Sequence, residues 1–295
     1  MEDYNCINCN SVSHESIYKG KIRSGTFGKM SNEDYEVMAC GKCSLCRLYP
    51  FPEINYETAE YRFDFNGSSD AFDYLEMHDH EQNPRISKIG IENFRNKIVL
   101  DYGCGGGSFL DAIKGVSQKT IGVEPFTGFH ESLVSRGHEV FPNIEEALLK
   151  YHGEIDVVIS FGVIEHTLDP LAYLKNSFDL LKKQGSVYLE TDNLNDFLMT
   201  SDLPEFKMFF YRTVHYWYFD SHSLLNTFEL AGFSQIIPGF RHCYDLSNAM
   251  LWMRDRRPSG IGGIAGIHSS CNQSWISFLQ ESGQSDLLFF SALKD

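Results

Sequence analysis

Val99-Leu100-Asp101-Tyr102-Gly103-Cys104-Gly105-Gly106-Gly107 sets four glycines directly behind a short apolar run. The run Ile98–Asp101 reads as a strand, and Ser108–Lys114 continues the turn as a helix. Glycines at such a place let a ligand approach bare backbone. The amides that open the following helix can meet a carboxylate. The dinucleotide pattern G-x-G-x-x-G is not met, because Ser108 stands where its third glycine belongs. Glu124 ends the next strand, Thr120–Glu124, where an acid can bind both hydroxyls of a ribose.

Outward from that turn, strands and helices alternate. Phe129–Arg136 reads as a helix closed by Gly137, Glu139–Phe141 as a strand and Ile144–Tyr151 as a helix. Ile155–Phe161 offers no polar face, as a strand buried between two helical layers requires. Leu171–Leu181 is a helix, Ser186–Thr191 a fifth strand and Ser221–Ala231 a helix stopped by Gly232. This order predicts a doubly wound α/β sheet. Phe233–Phe240, Asn248–Arg254 and Asp286–Ala292 read as strands, two of them an antiparallel pair at the sheet edge, around a Gly-rich loop at Pro258–Ile267. The expected organisation is a cysteine module over 1–52, a helical linker or lid over 53–95, and the α/β domain over 96–295.

Five of the eight cysteines precede position 50. Cys6-Ile7-Asn8-Cys9 and Cys43-Ser44-Leu45-Cys46 are C-x-x-C knuckles that together complete a closed four-thiolate zinc site, with Lys19–Val37 a hairpin insertion between them. A closed site has no open position, so the zinc is expected to be structural. Cys40 and Cys43 form a C-x-x-C as well. The pair Cys43 and Cys46 is preferred because Arg47-Leu48-Tyr49-Pro50 follows it, as in similar ribbons.

The formal charge of -15 opposes a phosphate backbone, so a nucleic-acid partner is not expected. No apolar run reaches the roughly 20 residues of a membrane span. The polar, acidic start Met1–Asn10 is unlike a signal peptide, so a cytoplasmic location is expected.

Leu100 to Gly107 resembles the first motif of class I S-adenosylmethionine (SAM) dependent methyltransferases, and Gly122-Val123-Glu124-Pro125 resembles their second. Phe161-Gly162-Val163-Ile164-Glu165-His166-Thr167-Leu168-Asp169-Pro170 resembles their segment after the fourth strand, usually E-H, two residues, D-P. Leu189-Glu190-Thr191-Asp192-Asn193 resembles the end of their fifth strand. The resemblance implies a Rossmann-like, mostly parallel seven-stranded sheet and SAM as cofactor. It also implies that Asp101, Gly103, Cys104 and Gly105 hold the methionine part, and that Glu124 with Pro125 holds the ribose. Phe126 and Asn143 would neighbour the adenine, and Phe161 and Gly162 would lie beneath the sulfonium.

A zinc ribbon ahead of such a core resembles the sugar methyltransferases of deoxysugar and surface-glycan pathways. The long C-terminal domain of their C-methylating members is not expected here, which would favour O-methylation. The implied acceptor is a small molecule, a sugar or nucleotide-linked sugar of glycan or natural-product biosynthesis. A phosphorylated metabolite, an N or C nucleophile, and a non-catalytic binding module are the alternatives. For a hydroxyl acceptor a histidine is the natural base. His166 beside Glu165, and His215 in the aromatic run Val214–Phe219, are the candidates, with His215 ranked first. Lys207, Arg212 and Arg241 flank that wall and suit a diphosphate.

Overall fold

The computed structural model describes residues 5–25, 28–66 and 68–295. The first four residues of the polar start, and residues 26–27 of the hairpin insertion, lie outside the described residues. The N-terminal segment forms β1 (His14–Gly20), β2 (Tyr35–Cys40) and β3 (Cys46–Tyr49). Helices α1 (Ala59–Asn66), α2 (Ala71–His78) and α3 (Gln82–Ile89) lead into the main sheet. There follow β4 (Ile98–Tyr102), α4 (Ser108–Ile113), β5 (Lys119–Val123), α5 (His130–Ser135), β6 (Glu139–Phe141), α6 (Ile144–Tyr151), β7 (Ile155–Phe161), α7 (Pro170–Leu180) and β8 (Leu181–Asp192). The chain goes on through α8 (Phe197–Thr200), α9 (Pro204–Phe210), β9 (Trp217–Tyr218), α10 (Ser221–Leu230), β10 (Ser234–Ile237) and β11 (Phe240–Arg241). It closes with α11 (Leu246–Asp255), α12 (Ser269–Ser282) and β12 (Leu287–Leu293).

The main sheet has the order β10-β12-β8-β7-β4-β5-β6, with β11 also paired to β12. The pairs from β8 through β6 are parallel, and β12 runs antiparallel to β8. Alternation along each strand feeds two cores. Val99, Val157 and Ile159 face Phe94, Phe109 and Ile113, whereas Leu100, Ile121 and Val158 face Tyr173, Leu174 and Phe228. This is the expected Rossmann-like architecture. The order of its strands reverses between β4 and β7, where the carboxyl ends of strands leave a crevice for a ligand.

Local chemistry sets the helix starts. Asn143 accepts from the Glu146 N–H at 3.0 Å, Asp169 caps α7 with Pro170 in the first turn, and Asp220 makes a capping box with Ser223. Asn248–Arg254, expected as a strand, is part of α11. Asp245 caps it by accepting from the Asn248 N–H at 3.0 Å, and the buried Asn248, Leu251 and Trp252 recur at helical spacing.

β3 also pairs with β9, so the small N-terminal sheet runs β1-β2-β3-β9 and borrows its last strand from the segment after α9. The side chain of Asn8 donates to Thr227 Oγ1 at 2.7 Å and to the Ser223 carbonyl at 3.3 Å, which ties the first knuckle to α10. No described helix is long and apolar enough to cross a membrane.

Candidate active site

The turn after β4 is stapled to its neighbour. The N–H groups of Gly103 and Cys104 donate to the Val123 carbonyl at 2.9 and 3.2 Å. Gly103 has φ +94°, and a Cβ there would meet Val163 at 2.5 Å. A Cβ on Gly105 would meet the hydroxyl of Tyr74 at 2.2 Å, so Tyr74 of α2 packs directly on the bare turn. The small Cys104 Sγ lies against Gly122 for the same reason of space.

Glu124 is 1% exposed. Its carboxylate accepts from the N–H of Gly105 at 2.9 Å and of Phe126 at 2.8 Å, and Arg62 of α1 pairs with it. The acid thus organises the turn. Asp101, at the end of β4, is lifted to about 7 by burial, Arg85 opposing and the Glu124 charge adding.

A cavity of about 850 Å³ opens over these strand ends. Asp101, Gly103, Cys104, Phe161, Gly162, Glu165, His166 and His215 all line it. Gly105, Glu124, Pro125, Phe126 and Asn143 are not on its wall; the Glu124 carboxylate is turned into the loop that it braces. Phe126 packs against Phe129 at 4.9 Å, and Asn143 caps α6.

On the far side of the cavity the acid and the two histidines converge. One ligand atom from each of Glu165, His166 and His215 lies within 4.8 Å of the others. Burial pushes Glu165 up to about 8 with help from Asp192, and Thr191 Oγ1 donates to it at 2.8 Å. His166 Nδ1 is 2.8 Å from the Val214 carbonyl. A carbonyl only accepts, so Nδ1 carries the proton and Nε2 keeps its lone pair. Burial, then Arg212, holds His166 at about 3, and the same causes hold His215 well below the usual histidine range. Both rings are neutral at pH 7. They meet edge to face, centroids 4.7 Å apart.

Behind them Glu190 receives Arg85 (Nη2 to Oε1 2.7 Å) and Arg241 (Nη2 to Oε1 2.9 Å). Burial opposes its ionisation, yet the two arginines hold its pKa below the ordinary value. Arg241, expected to serve a diphosphate, is committed to this carboxylate instead. Glu190 stands in the strand-end motif and Arg241 beside the expected acceptor wall, but nothing in the sequence pairs them with each other or with Arg85. Arg23, Arg62 and Tyr74 come from segments without a motif and meet the site only through the fold.

Apart from the cavity, Cys6, Cys9, Cys40 and Cys43 bring four thiols within 4.8 Å of one another. Each knuckle closes alike: Asn10 N–H donates to Cys6 O at 2.8 Å, and Ser44 N–H to Cys40 O at 3.0 Å. Cys46, expected as the fourth ligand, is not in the group. It opposes Ala39 on the β3 ladder, and strand alternation turns it to the other face, among Leu48, Tyr211 and Tyr218. Cys40 takes its place.

A methyltransferase-domain family matches residues 75–236, more than half of the chain. The ubiquinone biosynthesis O-methyltransferase of Ruegeria pomeroyi is 33% identical over 116 residues, 36% of this chain and 46% of that protein. Its Escherichia coli counterpart is 32% identical over 108 residues, 34% of this chain and 44% of that protein. The chain thus spans less than half the length of these relatives. Among solved structures, a SAM-dependent methyltransferase from Archaeoglobus fulgidus superposes with TM-score 0.51 at 20% identity, over 80% of this chain and 98% of that one, a likeness of fold. With the glycine turn, Glu124 and the order of the sheet, the match over 75–236 places the chain in the methyltransferase domain family, as a class I methyltransferase that uses SAM.

Proposed function

We propose that the chain methylates a hydroxyl of a small-molecule acceptor, and that His215 takes the hydroxyl proton. The observation that carries this reading is the convergence of the glycine turn, Glu165, His166 and His215 on one cavity. Methyl transfer is an in-line displacement at a sulfonium carbon, so the protein must align the oxygen and accept its proton. His215 Nδ1 lies 3.4 Å from Asp192 Oδ2, which leaves the other ring nitrogen for the acceptor and supplies a carboxylate to steady the imidazolium. His166, its proton fixed on Nδ1, offers Nε2 as an acceptor that orients the same hydroxyl. Asp101 with Gly103, Cys104 and Gly105 would hold the methionine part of SAM, Glu124 the ribose, and Phe161 with Gly162 the floor under the sulfonium. SAM brings the activated methyl group. A sugar hydroxyl, the class implied by the cysteine knuckles, fits this chemistry. The matched O-methyltransferases of ubiquinone biosynthesis share the kind of reaction that their name states. Turnover of a panel of hydroxylated acceptors, with His215→Ala as control, tests the reading.

We also infer that Cys6, Cys9, Cys40 and Cys43 hold a structural zinc ion. Zn–S bonds of about 2.3 Å in a tetrahedron put sulfurs roughly 3.8 Å apart. The pairs Cys6–Cys43 and Cys9–Cys40 stand at 3.4 Å, and all four thiols lie within 4.8 Å, so the set fits. The module would be held rigid against α10 by the metal rather than take part in methyl transfer.

A further inference from the structure

Arg23, Arg62, Arg85, Arg212 and Arg241 line the cavity. Three have carboxylate partners: Arg62 has Glu124, and Arg85 and Arg241 share Glu190. Arg23 and Arg212 differ. Neither side chain makes a salt bridge or hydrogen bond among the described residues, and Nε of each is buried without a partner.

The backbone forces these two together. Residues 23 and 212 form a parallel bridge, in which Arg23 N–H donates to the Tyr211 carbonyl at 3.0 Å and Thr213 N–H donates to the Arg23 carbonyl at 2.9 Å. Partners on a bridge present their side chains to the same face. The Arg23 guanidinium lies 4.2 Å over the Phe209 ring, which fixes it against the wall of the cavity. Burial, then the charge of Arg212, holds Arg23 down at about 10, so the two cations feel one another. Asp192 attracts both guanidiniums but makes an ion-pair contact with neither, and Glu165, which sits at about 8, is mostly uncharged at pH 7. The histidines beside them are neutral. Two half-buried guanidiniums without a matched anion are costly unless something else supplies the charge.

We propose that Arg23 and Arg212 bind an anionic oxygen group on the methyl acceptor, a carboxylate or a phosphate, and so orient its nucleophile toward His166 and His215. The proposal rests on the methyltransferase reading of the same cavity. It gives the N-terminal module a part in substrate choice, since Arg23 belongs to the loop after β1. Planar guanidiniums suit such a group because each offers parallel N–H donors. The anion would sit on the acceptor wall, whereas the carboxylate of SAM would meet the glycine turn.

The test uses the full chain saturated with S-adenosylhomocysteine (SAH). Inorganic phosphate and benzoate are titrated separately by calorimetry. At least one of them binds, and the tighter of the two tells whether the acceptor carries phosphate or carboxylate. Arg212→Gln and Arg23→Gln each weaken that binding about tenfold to hundredfold while SAH still binds. Arg212→Lys, which keeps the charge, weakens it less and covers the case in which a Gln variant fails to fold. SAH binding with no uptake of either anion at tens of millimolar would overturn the proposal and leave the methyltransferase reading standing. Anion binding that survives both Gln variants would overturn it too. Loss of SAH binding in the unsubstituted chain would remove both.

Discussion

Nδ1 of His215 stands 3.4 Å from Oδ2 of Asp192, and this contact joins the aromatic segment before α10 to the carboxyl end of β8. The ring is 1% exposed, so any proton it gains must be stabilised by its immediate neighbours, of which Asp192 is the acidic one in contact. If the histidine takes the acceptor proton, His215→Ala should lower kcat by about 10²–10⁴. SAH affinity should stay nearly intact. Wild-type turnover in that variant at every pH would reduce His215 to a wall residue and pass the role to His166.

Stability should depend on pH in a way the cavity dictates. Burial lifts Glu165 to about 8, and Asp101 and Asp196 to about 7. Each holds a proton in the folded chain that the unfolded chain gives up earlier. Their contribution is therefore full at low pH and is lost as pH rises through those values. His166, held at about 3, acts in the opposite sense: its contribution is full above the unfolded histidine value of about 6.5 and is lost as pH falls below it. Above about pH 6.5 the histidine part is constant, so the melting temperature should fall from there to about pH 8.5. Glu165→Gln keeps the shape and removes its share of the slope, about 1.4 kcal/mol per pH unit at most. A variant with an unchanged slope would contradict this assignment.

The metal proposal separates two neighbouring cysteines. Metal analysis should find about one zinc per chain. Cys40→Ser should lose it and loosen the N-terminal sheet, whereas Cys46→Ser should keep it. The reverse pattern would restore Cys46 as the ligand.

Glu190→Gln tests the buried ion trio. Glu190 is 1% exposed and has an arginine on either side, so the amide would leave Arg241 without its anion and Arg85 with Glu81 alone. Removing one member of such a group costs about 3–5 kcal/mol. Urea denaturation should show a loss of that order. A change within about 0.5 kcal/mol would mean that water already compensates the arginines.

The elements that were legible in the sequence are those whose local chemistry and tertiary role agree. β7 is buried on both faces because helices cover both sides, and the apolar Ile155, Val157, Val158, Ile159 and Phe161 read that way. α6 reads from the helical spacing of Ile144, Ala147 and Tyr151, whereas Asn143, expected beside an adenine, proves to be its cap. Where the two roles part, reading fails. Residues Asn248–Arg254 mix β-tolerant and helical residues, and the Asp245 cap lies outside the apolar run that suggests a strand. α12 buries one residue fully, Leu279, so it shows little amphipathic signal. The cysteines satisfy two C-x-x-C spacings at once, and only the β2–β3 register decides between them. The cofactor turn and the paired Glu165 and His166 stand in contiguous motifs. Arg23 and Arg62 reach the cavity from separate segments, and no spacing rule connects them to it.

The most direct measurement is calorimetric titration of the folded chain with SAH, beside the same titration of Glu124→Ala. Glu124 accepts the Gly105 N–H of the turn and the Phe126 N–H beside itself and is the expected ribose ligand, so one molecule should bind per chain and the variant should bind at least about tenfold more weakly. Folded protein that takes up no SAH, or a Glu124→Ala variant that binds it as tightly as the unsubstituted chain, would contradict the placement of the cofactor over this turn.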